Sequence, residues 1–261
     1  MNISAPCQES HSPWVLNWSK ASRKPRLRLI CFPFAGGNAN TYRPWVDHLP
    51  SDIELLAIQL PGRGARFNEP PMAELPVLIE HITEALEPLI QMPSVFFGHS
   101  MGAIMAYEVC TTLQRSNKEL PALLILSACN APGPIQQRAA LHTLPSKSFW
   151  KEVQMINGTS DDVLNNPELL ELLEPSLRAD FKIVYDWRQL NTQSEAPKLS
   201  VPMVLFGGKD DDSVNLEHLQ MWQKCFSEIG QTHLFSGDHF FIQDPTPTFF
   251  STLSGLLAPI G

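Results

Sequence analysis

Long apolar runs are missing from this chain of 261 residues; none approaches the ~20 residues that a membrane-crossing helix needs. Positive charge is scarce as well. Nineteen Lys and Arg face 27 Asp and Glu, a formal charge of −8 that argues against non-specific binding to nucleic acid or to an anionic membrane surface. Cysteine is sparse, odd in number and scattered: Cys7, Cys31, Cys110, Cys129 and Cys225. No C-x-x-C or Cys/His spacing occurs, so neither a disulfide scaffold nor a structural metal site is expected. Reduced thiols in a cytoplasmic protein are the expectation. The first 14 residues lack the apolar core and early Lys or Arg of a secretory signal. No internal repeat or low-complexity tract is present.

Short apolar runs alternate with longer amphipathic ones. Leu27–Phe32, Ile53–Leu60, Val95–Phe97, Leu123–Ser127, Met203–Phe206 and Thr232–Phe235 read as strands. Most are nearly continuous apolar runs, as in a parallel sheet covered on both faces. Helices are expected over Ala73–Ile90, Met101–Arg115, Leu216–Ser227 and Thr246–Leu257. This alternation implies right-handed βαβ units and a doubly wound α/β fold. Residues 1–25, polar and proline-bearing, read as a loosely packed tail before one domain over 26–261. Strand signals are absent between Asn130 and Ser200. That interval, rich in Leu, Pro, Phe and Trp, reads as a helical lid inserted over about 131–199.

Gly98-His99-Ser100-Met101-Gly102 matches G-x-S-x-G. With 14 Gly and 21 Ser in the chain, roughly 0.06 chance matches are expected, so context decides. A β-run enters the motif and a helix-forming run leaves it. In so tight a strand-to-helix turn, side chains at positions 98 and 102 would collide, and glycine removes them. Ser100 is thereby presented at a helix N-terminus, where free N–H groups stabilise an oxyanion.

A serine hydroxyl needs a base. His99 should point away from Ser100 in such a turn. His239, in Gly237-Asp238-His239-Phe240-Phe241, follows the last strand, where α/β sites are built. His239 is therefore the expected base. The orienting acid should lie between Ser and His in chain order. Gly207-Gly208-Lys209-Asp210-Asp211-Asp212 follows a strand and offers three acids. Asp211 is preferred, because Val214 three residues on can pack beneath the loop; Asp210 is the alternative. The Met101 amide needs a second N–H to complete an oxyanion hole. Ala35, in the Gly-rich turn Phe34-Ala35-Gly36-Gly37, is the candidate. That turn lacks G-x-G-x-x-G and GK[ST], which argues against a nucleotide.

These segments resemble type II thioesterases of the α/β-hydrolase superfamily, which accompany non-ribosomal peptide and polyketide synthases. The resemblance runs from about Arg28 to Leu257. It rests on Phe32-Pro33-Phe34-Ala35-Gly36-Gly37, Pro61-Gly62-Arg63-Gly64-Ala65-Arg66, the Ser100 motif, Leu177-Arg178-Ala179-Asp180-Phe181 and the His239 motif. It implies hydrolysis of acyl groups from the phosphopantetheine arm of acyl or peptidyl carrier proteins, clearing misloaded or stalled units. Some relatives release medium-chain fatty acids instead. Carried over by residue, Ser100 is the nucleophile and His239 the base. The acid lies in the Asp210–Asp211 region, and Ala35 and Met101 supply the oxyanion amides. No metal or organic cofactor is implied, and a monomer is expected.

Arg63 and Arg66 could meet a phosphate or an acidic carrier; pairing with local acids such as Glu69 is slightly favoured. Arg178 and Asp180 are expected to pair within the lid. A carboxylesterase acting on free esters fits the same triad, since fold and triad do not fix the substrate; a silent carrier-binding subunit is the non-catalytic alternative, and an intact Ser, His and Asp set argues against it.

Overall fold

The computed structural model describes residues 12–19, 24–133, 140–156, 161–191 and 198–261. Cys7, His11 and most of the tail lie outside these residues, as do 134–139, 157–160 and 192–197 of the inserted interval. In chain order the elements are β1 (Val15–Asn17), β2 (Leu27–Phe32), β3 (Ile53–Ile58), α1 (Leu75–Leu86), β4 (Ser94–His99), α2 (Met101–Arg115) and β5 (Leu123–Ser127). Then follow α3 (Ser146–Met155), α4 (Asp161–Leu164), α5 (Pro167–Leu190), β6 (Met203–Gly208), α6 (Leu216–Gln220), β7 (Gln231–Phe235) and α7 (Pro247–Leu257). One seven-stranded sheet runs β1-β3-β2-β4-β5-β6-β7. Every strand pair is parallel except β1 with β3. This is the doubly wound architecture expected from the alternation of strands and helices.

Side-chain alternation along the strands divides the core into two layers. Ile30, Phe32 and Phe96 pack with α1 and α2 on one face. Leu29, Cys31, Val95 and Phe97 pack on the other face with α7 and with Tyr42 and Trp45. Those two rings come from a 3₁₀ segment, Ala39–Asp47, that had no sequence signature of its own. The central strands are buried on both faces, which is why they read as uninterrupted apolar runs.

Three differences from expectation have clear causes. Val15–Asn17 is not loose tail but an edge strand, with Val15 paired to Ile58. Three residues are too few to show a period, but Val15 buries its side chain against the core. The helix expected over Leu216–Ser227 breaks after Gln220 into a 3₁₀ turn, Met221–Cys225. That turn carries Trp222 into full burial, where its indole N–H donates to the Cys129 carbonyl at 2.8 Å. β4 and β6 also run further than their apolar stretches, through His99 and Gly208 respectively.

Between β5 and β6 lie a short 3₁₀ turn (Leu141–Thr143), three α-helices and no strand among the described residues. Phe149, Trp150, Val153 and Leu177 form a cluster of their own there, separate from the two main layers. Glu174 ties α3 to α5: it accepts from the Trp150 indole at 2.7 Å and from the Ser146 hydroxyl at 2.7 Å. Further along α5, Ile183 and Trp187 join the main core, and the Trp187 indole donates to Glu108 of α2 at 2.7 Å. One long helix therefore spans from the sheet's outer layer to the inserted cluster.

Candidate active site

Strand order reverses at β2 and β4. The chain leaves β2 toward β3 and leaves β4 toward β5, so a crevice opens at their carboxyl ends. Ser100 sits there, between β4 and α2, with φ 54° and ψ −115°. A residue with a side chain is strained in that region, at a cost of ~1–3 kcal/mol, and persists only when its surroundings over-determine it. Here they do. A Cβ on Gly98 would stand 2.3 Å from the Gly102 carbonyl oxygen, and one on Gly102 would stand 2.0 Å from that of Phe32. Helix α2 is thus seated directly on the end of β2, and the turn between β4 and α2 has little choice of path. The Ser100 N–H donates to the Ser127 carbonyl at 2.8 Å, pinning the turn to β5.

His239 Nε2 lies 3.0 Å from Ser100 Oγ, and Nδ1 lies 2.8 Å from Asp211 Oδ2. Asp211 Oδ1 accepts the N–H groups of Ser213 (2.7 Å) and Val214 (3.0 Å), which fixes the carboxylate's orientation. The two acids left open by the sequence are separated by the fold. Asp210 instead accepts from the Gly237 N–H at 3.3 Å and donates its own N–H to the Gly237 carbonyl at 3.0 Å. It ties the acid loop to the base loop and does not reach His239 in the hydrogen-bond network.

His99 turns away from Ser100, as expected, and is fully buried. Its Nε2 lies 2.8 Å from the His239 carbonyl, and its Nδ1 lies 2.8 Å from the Ser127 hydroxyl. A carbonyl only accepts, so Nε2 carries the proton and the Ser127 hydroxyl donates to Nδ1. Burial, and then the neighbouring His239, push its pKa well below the usual histidine range. His99 thus stays neutral and holds the base loop by its backbone. Nothing in the G-x-S-x-G pattern signals this role.

Ala35 and Met101 follow the ends of β2 and β4, on either side of Ser100. Neither backbone N–H has a hydrogen-bond partner among the described residues. The Ala35 loop is a tight turn, with Gly37 N–H donating to the Phe34 carbonyl at 2.8 Å and Gly36 at φ 81°. Next to it lies an apolar cavity of about 340 Å³. Phe34, Trp150, Val153, Leu177, Phe181 and Phe240 line it, joining the core's edge to the inserted helices.

Both arginines of the Pro61–Arg66 segment are paired. Arg66 holds Glu69, at 2.8 and 2.6 Å, and lies over the Trp14 ring. Arg63 is buried and makes a two-pronged pair with Asp180, at 2.5 and 2.8 Å. The expected intra-lid pairing therefore holds for Arg178, which binds Glu174 at 2.7 Å, but not for Asp180. Asp180 faces the sheet, because the stretch of α5 that carries it passes over the loops after β2 and β3. The four cysteines described are free thiols. Burial pushes Cys129 up to about 12 and Cys225 up to about 11, so they are not thiolate nucleophiles at neutral pH. Among the described residues, no group of three or more His, Cys, Asp and Glu is placed to hold a metal ion. No helix among them is long and apolar enough to cross a membrane.

The sequence model described as "Thioesterase domain" matches residues 27–257. The gramicidin S biosynthesis protein GrsT of Aneurinibacillus migulanus is 34% identical over 231 residues, covering 88% of each chain. The linear gramicidin dehydrogenase LgrE of Brevibacillus parabrevis is 35% identical over 251 residues, covering 95% of this chain and 94% of its own. The structure of the type II thioesterase BorB, from the borrelidin biosynthetic cluster, superposes with a TM-score of 0.80 at 27% identity. It covers 94% of this chain and 97% of its own.

Proposed function

This chain belongs to the thioesterase family, and we propose that it hydrolyses acyl thioesters from the phosphopantetheine arm of acyl or peptidyl carrier proteins in natural-product biosynthesis. The observation that carries the reaction is the chain of contacts from Ser100 through His239 to Asp211, at 3.0 and 2.8 Å. His239 Nε2 takes the Ser100 proton as Oγ attacks the thioester carbonyl carbon. The carbonyl π pair moves to oxygen, and the amides of Ala35 and Met101 receive that oxyanion. Collapse expels the thiolate, which takes the proton from His239 and leaves acyl-Ser100. Water, deprotonated by His239, attacks the acyl carbon; collapse breaks its bond to Ser100 Oγ, which takes the proton back from His239, and the acid leaves. Asp211 orients the imidazole and stabilises its charged form. The apolar cavity beside Ala35 accepts the acyl chain. Water and these side chains suffice, so no metal or organic cofactor is required, and the enzyme acts as a monomer in the cytoplasm.

The biosynthetic setting rests on relatives named for gramicidin and borrelidin production. A dehydrogenase activity, as in the name of one relative, finds no dinucleotide motif in this sequence. The test is hydrolysis of acyl-phosphopantetheinyl carrier protein by the wild type and by Ser100→Ala, alongside p-nitrophenyl esters. Release by the wild type only, with carrier thioesters preferred in kcat/KM, supports the proposal. Equal release by Ser100→Ala sinks the mechanism. A preference for free esters makes the chain a carboxylesterase, and failure of Ser100 to react with a fluorophosphonate makes it a silent carrier-binding subunit.

A further inference from the structure

The Ala35 amide sits in a turn, and turns at the ends of strands are pliable. An oxyanion hole needs its donors fixed before the reaction, since a displacement of ~1 Å can cost about 10²-fold in rate. Contacts from outside the turn hold it. The Gly36 N–H, next in sequence to Ala35, donates to Asp180 Oδ2 at 2.7 Å. Asp180 is 1% exposed. A buried carboxylate demands a compensating charge, and Arg63, from the loop after β3, supplies it through both terminal nitrogens, at 2.5 and 2.8 Å. Arg63 Nη1 also reaches the Gly37 carbonyl at 3.4 Å, gripping the far side of the same turn. Asp180 lies on α5 between Leu177, which belongs to the inserted cluster, and Ile183, which belongs to the main core.

We propose that Asp180, charge-compensated by Arg63, is a positioning residue for the oxyanion hole. It holds the Gly36 amide so that the neighbouring Ala35 N–H stays directed at the developing oxyanion. Through it, the geometry of the hole depends on the seating of α5 against the β2 and β3 loops. The pair does not touch Ser100, His239 or Asp211 in the hydrogen-bond network. Its loss is expected to weaken transition-state binding selectively, and ground-state binding little. The inference rests on the proposed thioesterase mechanism, in which Ala35 donates to the oxyanion.

The experiment uses the full chain with three pantetheine probes: an octanoyl thioester, the matching trifluoromethyl ketone and a non-hydrolysable thioether. Ser100 adds to the ketone and forms a tetrahedral alkoxide that occupies the hole; the thioether only fills the binding site. Asp180→Ala is expected to lower kcat about 10²-fold with KM within about twofold. It should weaken the ketone by a similar factor and leave the thioether unchanged. Asp180→Asn keeps an acceptor for the Gly36 amide without the charge. It is expected to lose about tenfold in kcat and in ketone affinity, and it carries the test if the Ala variant does not fold. Unchanged kcat in a folded variant, or equal weakening of ketone and thioether, overturns the inference. If the wild type leaves the thioester intact, the thioesterase reading fails instead. The ketone and thioether affinities still report on Asp180 in that event.

Discussion

Ser100 is strained by its fold, and that strain is measurable apart from catalysis. Ser100→Ala and Ser100→Gly both remove the hydroxyl and its contact with His239. They differ in the Cβ, which must remain at φ 54° in alanine and is absent in glycine. Relief of that backbone conformation is worth ~1–3 kcal/mol. Glycine's freedom in the unfolded chain takes back ~0.4–1 kcal/mol. At the midpoints of these ranges the glycine variant should be about 1.3 kcal/mol more stable than the alanine variant. For a chain of about this size ~1 kcal/mol moves Tm by about 2–4 °C, so the expected gap is about 3 °C. Thermal unfolding followed by circular dichroism reads the gap, with urea titration giving the free energy independently. Gly98→Ala is the opposing control: its Cβ would meet the Gly102 carbonyl at 2.3 Å, so stability must fall. Coincident melting of Ser100→Gly and Ser100→Ala would refute the claim that close packing of α2 on β2 forces the turn.

Three further outcomes are expected. Asp211→Asn should lower kcat by about 10³–10⁴-fold through loss of the imidazole's orienting charge, whereas Asp210→Asn, whose side chain only tethers the base loop, should change it by no more than about threefold; equal losses would reverse the assignment of the acid. His99 has a folded pKa depressed by burial and by His239, so its contribution to stability is complete above the unfolded value of ~6.5 and is lost as pH falls below it, at up to ~1.4 kcal/mol per pH unit. Replacing it by Gln removes that titration and should flatten the acid limb of the stability profile measured by urea unfolding; an unchanged slope would show that His99 is not the group responsible. Val153→Trp, which fills part of the cavity of about 340 Å³, should cut hydrolysis of octanoyl and longer thioesters at least tenfold while acetyl turnover changes less than threefold; equal losses for both would mean that the acyl chain binds elsewhere.

Much of this molecule follows from local pattern. The buried strands advertise themselves because both faces are covered, so Leu27–Phe32 and Leu123–Ser127 are legible to the residue. The turn between β4 and α2 is legible because its glycines are required by sterics at fixed offsets from Ser100. Chain order from Ser100 to His239, together with loops at strand ends, restricts the acid to a run of three aspartates. There the local signal stops. All three side chains are carboxylates on one loop, and only the approach of the β7–α7 loop decides that Asp211, not Asp210, reaches the imidazole. The same limit hides the roles of His99 and Asp180. Their partners, the His239 carbonyl and the Gly36 amide with Arg63, are 117 to 144 residues away in the chain. Hydrophobic period, turn chemistry and motif spacing are properties of neighbours in sequence. Which buried polar groups meet across the sheet's carboxyl edge is set by how the helices seat on it, and that is decided only in the folded state.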